Sequence, residues 1–261
     1  MLKKIDSKKN KYDVRFTERD MKVIEFLFRV RFASLEQLCK YTNSPSRQAL
    51  YLRLMKLKSS GYIASKKLRL DAPVVFYPGV KAEGFLPVSP PSITRIIHNL
   101  SEVDVFLKLL DLGIKEDKIQ TDLELLLESK ANIVVGQSSD KKPNHVPDLV
   151  VTKSIDDKER KIAYEIELTK KLNKDFKKVI DYYNRERSYY EVVYLYSKDI
   201  KQYMHERMKE YESIKFVKFI PLEEFVKDTN SIKKNQEVTL TEEQRKQLEK
   251  LKTAKNLMLD E

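Results

Sequence analysis

The chain has 261 residues, enough for one large or two ordinary domains, and 41% of them are hydrophobic, enough for real cores. Lys and Arg number 51 against 40 acids, a net charge of +11 with an isoelectric point near 9.3. That balance favours a polyanionic partner, most simply nucleic acid; a membrane surface is the weaker reading, because no apolar run approaches the roughly 18 residues of a spanning helix. The basic N-terminus lacks an apolar region behind it and does not read as a secretion signal. A single cysteine, Cys39, excludes an intramolecular disulfide and a cysteine-based metal site. Five glycines, none in a phosphate-loop spacing, argue against a P-loop or a Rossmann fingerprint. The expectation is a cytoplasmic protein with no membrane partner.

Residues 1–15 read as a polar, disordered arm. Thr17 can cap a helix carrying Val23, Ile24, Phe26, Leu27 and Phe28. After a break at Arg31-Phe32-Ala33, Ser34 with Gln37 three residues on has capping-box spacing and starts a short helix, Leu35 to Tyr41. Asn43-Ser44-Pro45 restarts the chain, with Ser44 expected as N-cap and Pro45 at the first helical position. The third helix buries Leu50, Leu54 and Leu57 and stops near Gly61. YIASKKLRL and VVFYPGV then predict a β-hairpin around Asp71-Ala72-Pro73. Three helices and a hairpin form the plan of a winged helix-turn-helix over residues 16–87. On this plan the third helix enters the major groove and presents Ser46, Arg47, Gln48, Tyr51 and Arg53. Arg and Gln are side-chain types that read guanine and adenine edges. Lys66, Lys67 and Arg69 of the hairpin can hold phosphates without reading sequence. The bland alternative is a helical protein-interaction module with a basic, solvated face.

PVSPPS, Pro87 to Ser92, cannot continue a helix or a central strand, and a domain boundary is expected there. Beyond it Ile93, Ile96, Ile97, Leu100, Val103, Phe106, Leu107 and Leu110 predict a helix ending at Gly113. His98 and Glu102, four apart, share a face of it. KIQTDLELLLES predicts a strand, and ANIVVG a further short strand or a turn. HVPDLVV and KIAYEIEL predict two buried strands joined by the loop TKSIDDKER. LNKDFKKVIDYYNRERSYY predicts a helix on whose apolar face lie Leu172, Phe176, Val179, Ile180 and Tyr183. A strand (EVVYLYS), a helix (KDIKQYMHERMKEYES) and a last strand (IKFVKFI) follow. The second domain, 92–227, is thus expected to be α/β with a mixed sheet. Residues 228–261 read as a linker and a solvated C-terminal helix started by the spacing of Thr241 and Gln244.

The two central strands carry acids where core strands should not. Asp148 stands among Val146, Leu149, Val150 and Val151. Glu165 and Glu167, two apart, point the same way from one strand. Carboxylates are costly to bury unless paired or metal-bound, and an oxygen-rich set suits Mg²⁺ or Mn²⁺ rather than zinc. The competing reading puts Asp148 in a turn and both Glu on a solvent face paired with Lys. His145 reads as a loop residue able to reach a phosphate or metal-bound water, and His205 as a surface residue.

This element order, with Pro147-Asp148 on one strand and Glu165-Ile166-Glu167 on the next, resembles the PD-(D/E)xK, restriction-endonuclease-like fold over roughly Ser92 to Ser197. The resemblance implies a divalent metal held by Asp148 and Glu165, and a Lys two residues on that helps activate the attacking water. Glu167 stands at that Lys position; Lys170, Lys171 and Lys178 follow it as displaced candidates, and Glu102 matches an additional acid some members use. The whole layout looks like the replication-relaxation family of plasmids and other mobile elements. The residues carrying that likeness are Thr17 to Gly61, IIHNLSEVDVFL, TDLELL, PDLVV and YEIELTKKLNKDFKKVIDYYN. It implies double-stranded DNA binding in replication, mobilisation or conjugative transfer, with replication or transfer proteins as further partners; a homodimer is a further expectation only because winged helices often bind two half-sites as dimers. Two readings stay open beside a merely basic interaction scaffold. One is a non-catalytic DNA binder. The other is a Mg²⁺- or Mn²⁺-dependent endonuclease in which Asp148, Glu165, Glu167 and Lys178 form the catalytic set.

Overall fold

The structure, a computed structural model, describes residues 14–67, 73–81, 92–134, 145–211 and 214–227. The expected N-terminal arm up to residue 13, most of the expected boundary at 87–92, Arg69 and the expected C-terminal helix lie outside these residues.

Thr17 starts α1 (Glu18–Val30) through a capping box. Its hydroxyl accepts the Asp20 N–H, and the Asp20 carboxylate accepts the Thr17 N–H and O–H, each at 2.7 Å. Val23, Ile24, Phe26, Leu27 and Val30 form the buried stripe. The helix ends at Arg31, at φ 66°, where the Phe32 N–H turns back to the Val30 carbonyl. After the two-residue β1 (Ala33–Ser34), α2 (Leu35–Tyr41) begins with the expected Ser34/Gln37 capping box.

The next helix, α3 (Arg47–Ser59), is capped by Ser46 and not by Ser44. The Ser44 N–H is still bonded to the Cys39 carbonyl and Asn43 is left-handed at φ 47°, so Ser44 completes the end of α2. Pro45 therefore precedes the cap, and Ser46 is the residue whose hydroxyl accepts the Ala49 N–H. At its far end Gly61 takes φ 81°, and Gly61 and Tyr62 donate back to the Lys58 and Leu57 carbonyls, a Schellman ending. β2 (Ile63–Lys67) and β3 (Val74–Pro78) pair antiparallel, and β1 adds to the other edge of β3. Gly79 closes this unit against Gly61; a Cβ there would stand 2.5 Å from the Gly61 oxygen.

Ser92 caps α4 (Ile93–Asp111), which ends at Gly113 with φ 82°. The helix is enclosed nearly all round in its second half, where Val103, Val105, Phe106, Leu107 and Leu109 are all buried. Two members of its expected apolar face, Ile93 and Ile97, are instead exposed, and Asn99 and Glu102 are buried in their stead. A 3-10 turn (Glu116–Lys118) leads to β4 (Ile119–Thr121), which is only three residues long. The remainder of the expected strand is helix, α5 (Asp122–Val134), which also takes in the first four residues of ANIVVG. Thr121 and Glu124 explain the switch: the Thr121 hydroxyl accepts the Glu124 N–H, and the Glu124 carboxylate accepts the Thr121 N–H at 2.9 Å.

β5 (Leu149–Ile155) and β6 (Lys158–Glu167) run through what the sequence suggested was a loop and join by a two-residue turn. Asp156 and Asp157 both take left-handed backbone there, at φ 51° and 58°, as a type I′ hairpin requires. α6 (Asn173–Glu186), β7 (Glu191–Tyr196), a 3-10 turn (Lys198–Ile200), α7 (Lys201–Glu210), β8 (Val217–Pro221) and α8 (Leu222–Val226) complete the described order. Leu172, expected on the apolar face of α6, is its N-cap and 63% exposed; Phe176, Ile180 and Tyr183 carry that face. The five-stranded sheet runs β4-β5-β6-β7-β8, antiparallel up to β6 and parallel from β6 to β8, with α6 and α7 as crossovers. Those helices pack Phe176, Ile180, Tyr183 and Met204 against Ala163, Val192, Tyr194 and Tyr196 on one sheet face.

The first three helices are tied to the sheet-bearing part. Arg29 bonds Glu116, Glu124 and the Ile119 carbonyl; Arg31 meets Asp122 at 2.8 Å; Gln37 donates to Asp104 and to the Leu100 carbonyl. The architecture is mixed α+β, and among the described residues no helix is long and apolar enough to cross a membrane.

Candidate functional site

The β5–β6 register brings the acids together. Leu149 stands opposite Tyr164, so Asp148, one residue earlier, faces Glu165 across the pair. Alternation along β6 then puts Glu167 on the same face as Glu165. Both are buried, at 3% and 4% exposure, which rules out a solvated face. The face is the one covered by α6 and α7, and each acid finds its own partner. The Tyr183 hydroxyl of α6 donates to Glu165 Oε1, and His145 Nε2 lies 2.6 Å from the same oxygen. Lys171 Nζ stands 2.7 Å from Glu167 Oε2. Asp148 Oδ2 accepts the Ile166 N–H at 2.7 Å.

A second group reaches Asp148 from α4. His98 and Glu102, one turn apart, meet with Nδ1 and Oε1 at 2.7 Å. His98 Nε2 lies 3.0 Å from the Ile166 carbonyl and 3.6 Å from Asp148 Oδ2. Asn99 donates to the other Glu102 oxygen at 2.7 Å. One ligand atom from each of His98, Glu102 and Asp148 lies within 4.8 Å of the others. Two carboxylates suit Mn²⁺ or Mg²⁺, and the imidazole nitrogen counts against Mg²⁺, which takes oxygen ligands. His98, Glu102 and Asp148 therefore fit a divalent cation, while Glu165 is engaged by Tyr183 and His145 and Glu167 by Lys171.

The electrostatics are those of acids crowded together without enough cations. Burial, then the charge of Glu165, pushes the Asp148 carboxyl well above the usual carboxylate range, against the pull of His98. Burial disfavours the His98 imidazolium, but the bond to Glu102 and the charge of Asp148 outweigh it and push the ring up to about 9. Burial also raises Glu167, with Lys171 opposing. Lys171 is raised in its turn, because Glu167, Glu165 and Asp148 together overcome the cost of burying its charge. Tyr194, in register with Glu165 on β7, is fully buried and its hydroxyl has no hydrogen-bond partner among the described residues. Burial and the charges of Glu165, Glu167 and Asp148 hold its proton on firmly.

Lys178 is not part of this group. It is exposed on α6, 3.4 Å from Asp175, and faces a separate cleft. The resemblance already offers Glu102 as an additional acid beside Asp148 and Glu165, but nothing in the sequence reading adds His98 to that set, and Tyr183 and Tyr194 read as core. The i, i+4 spacing of an imidazole and a carboxylate on an otherwise apolar helix was the available signal for His98.

Of the residues expected to meet DNA, Arg47, Gln48 and Tyr51 are exposed on α3, and Lys66 and Lys67 on β2. Ser46 is exposed too, with its hydroxyl engaged as the cap of α3. Arg53 is turned inward: its Nε and Nη2 grip Asp20 at 2.8 and 2.5 Å, and it bonds the Arg15 carbonyl. Its role is to lock α3 to the start of α1. Arg47 and Tyr51 line one small hollow with Pro73, Val74 and Phe76, so the leading end of α3 adjoins the hairpin. No family model, no curated protein and no solved structure matches the chain.

Proposed function

We propose that this chain is a duplex-DNA-binding protein of a plasmid or other mobile element, acting in its replication, mobilisation or conjugative transfer. In this reading α1–α3 with the β2–β3 hairpin are a winged helix-turn-helix. The observation that carries it is the set Arg47, Gln48 and Tyr51, exposed at the leading end of α3 beside a hairpin that bears Lys66 and Lys67. Arg47 and Gln48 are base-reading types, and the two lysines hold phosphates. The net charge of +11 supplies the long-range attraction. The process rests on the likeness of the segments quoted above to the replication-relaxation family. The test is a binding titration with duplex DNA across a salt series. Binding should weaken steeply with salt, and Lys66→Ala with Lys67→Ala should lower the log–log slope by about 2, at roughly 0.9 per phosphate contact. A slope near zero in the unsubstituted protein would leave only a basic interaction scaffold.

A second reading is favoured by the buried acids: a Mg²⁺- or Mn²⁺-dependent DNA endonuclease of the restriction-endonuclease-like kind. Asp148 and Glu165, with His98 and Glu102 beside Asp148, are the residues that would hold the metal. A bound divalent ion supplies Lewis acidity at a scissile phosphate. Lys171, gripped by Glu167, gives this chain the cation absent from the position of Glu167 itself, and replaces Lys178 in that role. Nicking of supercoiled plasmid that needs Mg²⁺ or Mn²⁺, stops with chelator and is lost in Asp148→Ala and Glu165→Ala supports it. Intact plasmid in every lane, with unchanged duplex binding, removes it.

A further inference from the structure

Beside the acid cluster lies a cleft of ≈ 440 Å³ lined by His145, Asp175, Lys178, Val179, Tyr182 and Arg185. That volume falls within the roughly 300–1,000 Å³ of small-ligand clefts. Lys178, Tyr182 and Arg185 are spaced four and three apart on α6, so they form one stripe along the helix. Two permanent cations face one carboxylate. Lys178 meets Asp175 only at 3.4 Å and is largely solvated. Arg185 spends its Nε on the Asp181 carbonyl, and its two terminal amino groups make no hydrogen bond among the described residues. Between the two cations sits Tyr182, half-buried, its ring in edge contact with His145 and Tyr183. His145 joins the cleft to the acids, since its Nε2 is on Glu165.

An aromatic ring packed against His145 and Tyr183, flanked by Arg185 and by Lys178 with its loose pair to Asp175, suits a phosphate followed by a stacked base. A paired base keeps its face inside the duplex and cannot stack there. We propose that this cleft binds a single-stranded nucleic-acid segment, its phosphates held by Lys178 and Arg185 and one base stacked on Tyr182, separate from the duplex-facing surface of α3. The proposal rests on the nucleic-acid reading above. It gives Lys178 a binding role in place of a catalytic one and places a strand within one side chain, His145, of the acid cluster.

The test uses the full chain and a labelled oligothymidine of eight residues, followed by fluorescence anisotropy at fixed salt, with a duplex run in parallel. Tyr182→Leu should weaken single-strand binding on the order of 10-fold, and Tyr182→Phe should restore it, because the ring and not the hydroxyl carries the stack. Lys178→Ala with Arg185→Ala, both at exposed positions, should weaken it by a similar factor and flatten its salt dependence, leaving duplex affinity unchanged. Equal losses in Tyr182→Leu and Tyr182→Phe would overturn the stacking, and single-strand affinity untouched by the Lys178 and Arg185 changes would overturn the site. Cleft-dependent single-strand binding with no duplex binding would sink the winged-helix reading and leave this one standing.

Discussion

Replacing Glu102 by Gln tests the electrostatics of the acid cluster at its most legible point. The substitution removes the charge 2.7 Å from His98 Nδ1 and keeps the shape of the side chain. His98 stands at about 9 against an ordinary 6.5, a difference of 2.5; at about 1.36 kcal/mol each, that is roughly 3 kcal/mol of preference for the charged ring. Burial opposes this preference, and Glu102 is the largest favourable contributor, followed by Asp148. In Glu102→Gln the His98 value should therefore fall most of the way back toward 6.5. The assay is an NMR titration of the three histidine rings, with His98 assigned by its loss in His98→Asn. Because the folded value is raised, the stabilisation is fully present below pH 6.5 and is lost as the pH rises through about 9. The raised Asp148 carboxyl acts in the same sense, beginning above the ordinary carboxyl range. The urea midpoint should thus decline between pH 6.5 and 9, and decline less in Glu102→Gln. A His98 ring that titrates near 6.5 in the unsubstituted protein would refute the reasoning.

Mn²⁺ binding, followed by electron paramagnetic resonance, should strengthen as the pH rises toward 9, because the His98 ring must lose its proton to act as a ligand, and should weaken at least about tenfold in His98→Ala. Equal affinity in both proteins would remove His98 from the donor set. Asp20→Ala removes the capping box of α1 and strips the partly buried Arg53 of its partner. A cap is worth about 1 kcal/mol and a broken buried pair about 3–5, reduced here because Arg53 is a quarter exposed, so a loss of about 2–4 kcal/mol in urea unfolding is expected. A loss under about 0.5 kcal/mol would show that Arg53 finds another partner. Tyr194→Phe deletes a buried hydroxyl with no partner among the described residues, so stability should stay within about 1 kcal/mol or rise. A loss above about 2 kcal/mol would mean that the hydroxyl is bonded in solution.

Most of the helices were legible because their signals are local. Thr17 with Asp20 and Ser34 with Gln37 lie within one turn of each other, and Leu50, Leu54 and Leu57 mark one face by period alone. The same kind of signal sits at Thr121 and Glu124, yet Leu123, Leu125, Leu126 and Leu127 mask it, since a run of leucines fits a buried strand as well as a helix. Ser44 and Ser46 flank Pro45 with equal capping chemistry, and the choice between them depends on how α2 ends.

The sequence by itself determined the mixed α and β character, the excess of positive charge and the presence of Glu165 and Glu167 on one core strand with Asp148 at the entrance of its neighbour. Each of these is a property of residue type and near-neighbour spacing. Only the tertiary structure decided what those acids meet. Asp148 faces Glu165 through antiparallel register, Tyr183 and Tyr194 arrive from a crossover helix and a parallel strand, and His98 reaches Asp148 from a helix some fifty residues earlier in the chain. Arg53, exposed by helical period, was claimed by Asp20 across 33 residues. Contacts of that separation are set by how whole elements pack, because a side chain's partner depends on which faces the core has already buried.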